Sequence, residues 1–63
     1  MRTALFQREF TVKEVGPISD FLKQCRKMMG QPSPATWVFH GNYHKINLYV
    51  YDDKYATWFS LRY

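Results

Sequence analysis

Apolar and polar residues alternate along the first part of the chain, residues 3–15. The apolar side of this alternation consists of Ala4, Phe6, Phe10 and Val12. A period of two residues is typical of a half-buried β-strand. Arg8 falls on the apolar side, where it either extends along an edge to solvent or marks a bulge. The pattern predicts a strand over residues 3–15.

The next segment, residues 17–29, has the period of an amphipathic helix. Its apolar residues form one stripe, namely Ile18, Phe21, Leu22, Cys25, Met28 and Met29. Pro17 has the backbone angle of a first helical residue. Gly30 and the prolines after it favour a stop. The sequence therefore predicts one helix that buries a single face.

The last third of the chain, from Thr36 to Tyr63, alternates again and predicts three strands. Two-residue loops at Gly41-Asn42 and Asp52-Asp53 put the apolar residues of both hairpins on one side. A four-residue second loop has the same parity and gives the same result. The predicted inward residues are Trp37, Phe39, Ile46, Leu48, Val50, Phe59 and Leu61, with His44 at the rim.

A one-sided helix and a one-sided sheet bury each other, which predicts an α+β fold in two layers. The expected order is β-α-β-β-β, with one helix on one face of a mainly antiparallel four-stranded sheet. Residues 1–63 are expected to form one small domain, and a right-handed crossover to bring in the first strand. The sequence leaves open which edge this strand occupies.

Composition narrows the class of protein. A chain of 63 residues forms a marginal core, and one cysteine, Cys25, excludes a disulfide within the chain. The sequence has no apolar run of the length that a signal peptide or a membrane span requires. These features predict a cytoplasmic protein. The net charge of +4 is spread along the chain and gives a mild preference for acidic partners.

Aromatic residues make up 19% of the sequence and concentrate in the last third. The predicted register places many of them among cations on the sheet face away from the helix. The partner-binding residues predicted there are Tyr43, Lys45, Tyr49, Tyr51, Trp58 and Arg62. Such a surface fits a protein partner, including a second copy of the chain, or bases of single-stranded nucleic acid. These residue types are also good strand formers, which would need no ligand.

Other candidate sites carry weaker signals. Lys23, Arg26 and Lys27 form a secondary basic ridge on the outer face of the predicted helix. His40 and His44 flank a turn as an acid–base pair could, but alternation makes them diverge. Asp52-Asp53 offers fewer oxygens than calcium needs and fits a turn better. No catalytic residue, metal site or cofactor is predicted, and Cys25 is expected to be a buried small hydrophobe.

These features predict a small non-enzymatic protein that occludes or bridges a protein partner. A short chain that starts at its own Met1 suits a stand-alone regulator. By its size and class, it fits a phage or mobile-element inhibitor of a host or defence complex, as anti-CRISPR proteins are, acting in the host cytoplasm. The alternative is a nucleic-acid-binding protein that uses the same sheet face.

Overall fold

A computed structural model describes residues 3–63, and Met1 and Arg2 lie outside the described residues. The elements in chain order are β1 (Phe6–Thr11), α1 (Val12–Val15), α2 (Ile18–Met29), β2 (Trp37–Gly41), β3 (Lys45–Val50) and α3 (Asp53–Arg62). None of the helices in the described part has the length and apolar character needed to cross a membrane.

The three strands form one antiparallel sheet in the order β1-β3-β2. Both outer strands run antiparallel to β3, so they are parallel to each other and α2 lies in the connection between them. The predicted α+β class is confirmed, but the prediction of four strands is wrong. The first strand occupies the edge opposite β2.

The strand predicted over residues 3–15 is shorter in the structure. β1 ends at Thr11 because the next residues form the single helical turn α1. The Glu14 carboxylate accepts hydrogen bonds from the Thr11 backbone N–H and hydroxyl, both at 3.2 Å. A threonine followed three residues later by glutamate is a capping signal. The alternating pattern of residues 3–15 does not reveal this signal. Because the chain leaves the strand after Thr11, Val12 is exposed instead of lying on the core side.

Helix α2 agrees with the prediction from its apolar stripe. Its buried residues are Ile18, Phe21, Cys25 and Met29. The helix ends at Gly30, whose φ of +81° favours glycine and whose N–H donates to the Arg26 carbonyl at 2.8 Å. The Gly30 carbonyl in turn accepts a hydrogen bond from the Trp37 indole at 3.1 Å, which ties the helix end to β2.

The hairpin between β2 and β3 forms in a different register from the predicted one. Phe39 lies opposite Leu48 rather than His44, a shift of four residues along β3. Because four is an even number, the same side chains still face the core. The turn is centred on Tyr43 and His44, not on Gly41-Asn42, and His44 is exposed there instead of lying at the core rim.

The segment predicted as the last strand is helix α3, so this part of the prediction is wrong. The Asp52 side chain accepts a hydrogen bond from the Lys54 N–H at 3.0 Å and caps the helix. Ala56, which the predicted alternation with Phe59 and Leu61 would turn outward, is buried. Leu61, predicted to be in the core, is 84% exposed. Both errors arise because inward positions recur every three or four residues in a helix.

Helices α2 and α3 pack against the same face of the sheet. On β1, the Phe10 ring lies 5.1 Å from that of Phe21 in α2, and Phe6 stacks on Phe59 in α3 at 5.4 Å. Fully buried Trp37, Ile46, Leu48 and Val50 come from the other strands. The core therefore lies between one sheet face and two helices.

Arg8 extends out of this layer at the β1 edge, as one of the two sequence interpretations predicted. β1 pairs with β3 without a bulge. The Arg8 guanidinium lies 4.8 Å from the centre of the Phe10 ring and 2.6 Å from a Glu14 carboxylate oxygen. The aliphatic part of the side chain thus covers the core edge while the charge is paired outside it.

Candidate functional groove between α2 and β2

The sheet face away from the helices is more polar than predicted. On this face His40 and Tyr49 form an edge-to-face pair, with ring centres 5.6 Å apart. Lys45 and Glu9 form an ion pair at 3.4 Å. Glu9 comes from β1 and partly neutralises the predicted basic character. Of the predicted aromatic residues, Tyr49 alone has a position within a strand of this face.

The other predicted partner-binding residues lie elsewhere. Tyr43 is in the β2–β3 turn and is 81% exposed, while Tyr51 follows β3 and is half-buried. Trp58 and Arg62 lie on α3, where the guanidinium is 5.3 Å from the Trp58 ring centre. The structure therefore does not bring the six predicted residues onto one surface. The reasons are the helix at residues 53–62, which carries Trp58 and Arg62, and the hairpin register, which puts Tyr43 in the turn.

A different concave surface forms between α2 and the β2 end of the sheet. We call it the α2–β2 groove; its volume is about 530 Å³. It is lined by Ile18, Ser19, Leu22, Lys23 and Arg26 from α2, and by Phe39, Gly41, Asn42, Tyr43 and Ile46 from the hairpin. Residues four apart on a helix share a face, so Ile18, Leu22 and Arg26 form one wall.

The groove has a basic rim. Lys23 and Arg26 line it and are exposed, and none of its lining residues is acidic. Neither cation forms an ion pair within residues 3–63. Lys27, the third member of the predicted ridge, lies beside Lys23 in a neighbouring depression that also contains Asp20. The structure thus brings two of the three ridge residues to the groove.

The floor of the groove is apolar and aromatic. Phe39 is half-buried, and its ring stacks on that of fully buried Trp37 with centres 5.8 Å apart. This contact packs one side of the Phe39 ring against the core and leaves the rest of the ring to line the groove. The Asn42 carboxamide accepts hydrogen bonds from the N–H groups of His44 and Lys45, at 2.8 and 3.2 Å, and holds the turn beside Tyr43. Apolar floor and cationic rim together fit a ligand that carries apolar groups beside negative charge.

The sequence pattern predicts the separate parts of this groove but not that they lie next to each other. It assigned Phe39 to the core and Lys23 and Arg26 to a separate ridge. A fourth strand would have placed β2 and α2 differently within the layer. The edge position of β2 brings these parts together, and a single sequence does not show which strand lies at an edge.

A second crevice, of about 280 Å³, lies between α2 and α3. Trp58 and Arg62 line it together with Cys25 and Met28. Cys25 is buried as predicted, and burial raises the pKa of its thiol to about 11. A thiol that stays protonated at neutral pH is a poor nucleophile, so the crevice has no reactive group of this kind.

The histidines and acidic residues do not converge. His40 lies on the outer sheet face and His44 in the turn, and neither lines the groove. Asp52 caps α3, and Asp53 is the first residue of that helix. Across residues 3–63, no three His, Cys, Asp or Glu side chains are grouped so that they could hold a metal ion.

No protein-family model, curated protein or solved structure matches this chain. The groove is therefore the feature of the molecule from which we infer a function.

Proposed function

We propose that the protein is a small non-enzymatic binding domain whose α2–β2 groove holds an acidic segment of a protein partner. The juxtaposition of Lys23 and Arg26 with the half-buried Phe39 ring carries this proposal. Protein hot spots combine an apolar anchor site with surrounding polar or charged groups. Cations that form no ion pair among residues 3–63 favour a ligand that supplies carboxylates.

A protein partner accounts for the groove better than single-stranded nucleic acid does. Nucleic-acid binders of the predicted kind stack successive bases on a row of aromatic rings along a basic track. With Trp58 on α3, the aromatic row proposed for the sheet face is reduced to Tyr49, and Glu9 pairs with Lys45 beside it. The groove is short and offers one exposed ring, Tyr43, next to Phe39.

The biological role that follows is a cytoplasmic inhibitor or regulator that occludes a site on its partner, as small phage and mobile-element proteins do. Its support is the α2–β2 groove, whose volume of about 530 Å³ suits a short segment of a partner. Self-association through the outer sheet face is a separate proposal. Sedimentation of the free protein at two concentrations tests it without involving the groove.

The binding proposal is tested by selecting a random library of 12-residue displayed peptides on the immobilised protein. We expect peptides enriched in Asp and Glu beside apolar residues. The double variant Lys23→Glu/Arg26→Glu should bind a selected peptide about 10-fold more weakly, because reversing each exposed charge costs about 0.7 kcal/mol of binding free energy. Isothermal titration measures the change.

Lys13→Glu is the matched control, because Lys13 is exposed on α1 and lies outside the groove. It makes half the charge change, and should alter the peptide affinity by less than about 2-fold. A loss of about 3-fold or more in Lys13→Glu, which is at least half of the double variant's loss in binding free energy, would indicate attraction by net charge and contradict the groove assignment. A gel shift with single-stranded DNA at low salt, lost in the double variant and steeply salt-dependent, would favour the nucleic-acid alternative instead.

A further inference from the structure

The outer edge of β2 has backbone groups that point away from the sheet beside the groove. The Trp37 N–H and carbonyl point this way, since they bond to Ser33 at 3.0 and 2.9 Å. Backbone direction alternates along a strand, so the groups of Phe39 point to the same side, as does the Gly41 N–H. The Asn42 N–H points inward and donates to the Lys45 carbonyl at 2.9 Å, as this alternation requires.

The start of this edge already bonds to the chain itself. Ser33 forms an isolated antiparallel bridge with Trp37 across the short turn that leads into β2. Beyond the bridge, the edge is without a further strand in the described residues, because β2 is the last strand of the sheet. Phe39 and Gly41 occupy this open part of the edge, and both also line the α2–β2 groove.

The other edge of the sheet is less suited to the same role. The Thr11 N–H at its end is occupied by the Glu14 carboxylate, and Arg8 is paired with that same carboxylate. Charged side chains and local caps of this kind protect edge strands against pairing. None of the pockets described in residues 3–63 is lined by β1.

From the open β2 edge, the Ser33 bridge and the adjoining groove, we infer that the partner segment binds as an added β-strand. This inference rests on the proposed function and specifies its mode. The segment hydrogen-bonds to Phe39 and Gly41 through its backbone. Alternate side chains enter the groove, where an apolar residue contacts Phe39 and carboxylates reach Lys23 and Arg26. Strand addition of this kind takes affinity from main-chain bonds and specificity from alternate side-chain sites.

The test measures backbone amide hydrogen exchange by NMR in the full chain, with and without the selected 12-residue peptide. The Phe39 and Gly41 amides should exchange at least about 10-fold more slowly with the peptide bound. The amides of Gln7 and Glu9, which point outward on the β1 edge, are the internal control and should not change. In the peptide, N-methylation should weaken binding at alternate positions and leave the intervening positions near the parent affinity.

Two results would overturn the inference in distinguishable ways. If the peptide still depends on Lys23 and Arg26 but leaves the Phe39 and Gly41 amides unchanged, the groove binds its ligand in another conformation; strand addition then fails while the proposed function stands. If binding does not depend on Lys23 and Arg26, the proposed function fails and the inference fails with it.

Discussion

Gly41 illustrates how a single residue controls the hairpin next to the groove. Its φ is +145°, a conformation that L-residues with side chains rarely adopt. A Cβ added there would meet the Lys45 carbonyl oxygen and lie 2.7 Å from the Ile46 Cα. Both contacts are backbone atoms of the paired strand, which cannot move without opening the hairpin. The absence of a side chain at this position is therefore a requirement of the fold.

We expect Gly41→Ala to lower the free energy of unfolding by about 2 kcal/mol or more, through strain and steric overlap. Urea unfolding followed by circular dichroism measures the loss. Gly30→Ala is the matched control, because Gly30 also has positive φ but open space around its Cβ position. It should cost only about 1 kcal/mol. Equal losses would show that the overlap at Gly41 relaxes freely.

Cys25 gives a pH-dependent prediction at the same scale. Burial raises the pKa of the thiol to about 11 in the folded protein, above its ordinary value of 9.0. Above pH 9 the unfolded chain loses this proton while the folded protein keeps it, so stability falls as pH rises. Between pH 8 and 10 the free energy of unfolding should fall by about 1 kcal/mol from this group.

The Cys25→Ala variant lacks the thiol and isolates this contribution from those of all other groups in the chain. It should be less stable at pH 8 because of the cavity, yet lose about 1 kcal/mol less than the natural chain on going to pH 10. Parallel losses in the two proteins would contradict the assignment of the shift to Cys25. Chemical denaturation at each pH supplies the comparison.

At the scale of elements, α3 shows how an alternating pattern can mislead. Trp58, Phe59 and Leu61 fit both a strand and a helix when read as a short run. The helical signal was present in Asp52, a preferred N-cap residue, and in the three- and four-residue spacing from Ala56 to Phe59 and Tyr63. The alternating pattern of the preceding hairpin continues through this segment and therefore predicts a strand. Packing against Phe6 and Phe10 selects the helix.

The capping role of Asp52 is open to a direct test. Asp52→Ala should lower the free energy of unfolding by about 0.5–2 kcal/mol, since the Lys54 N–H loses its acceptor. Asp52→Asn keeps an acceptor and should lower the free energy of unfolding by only a few tenths of 1 kcal/mol. Thermal unfolding of the two variants at neutral pH measures the difference. Equal stabilities would indicate that the side chain does not cap a helix.

At the scale of the whole molecule, the arrangement of the strands creates the candidate site. β3 is the central strand and pairs with both β1 and β2. The connection through α2 then places that helix next to an unpaired edge. The groove thus combines residues from α2 with residues from the β2–β3 hairpin, about 20 positions later in the sequence. Proximity of such distant segments is a property of topology.

Much of the fold was predictable because local pattern and burial agree. The α2 stripe, the inward residues of β2 and β3, and the burial of Cys25 all follow from the periodicity of apolar residues. The core-facing residues of β2 and β3 were predicted correctly although the hairpin register was wrong. A register shift of four residues, an even number, leaves each side chain on the same face of the sheet. Helix α1 and the cap of α3 are also encoded locally, by Thr11 with Glu14 and by Asp52. These signals are short, and the longer alternating pattern around them predicts a strand instead.

The sequence by itself determined which side chains of α2, β2 and β3 face the core, because hydrophobic burial constrains every such position separately. Tertiary structure decided the number of strands, the edge position of β2 and the union of Lys23, Arg26 and Phe39 in one groove. These depend on which segments pack together, and a long-range contact leaves no periodic trace in the chain that forms it. The predicted aromatic surface was divided for the same reason, since one segment folded as a helix against the sheet face instead of extending the sheet.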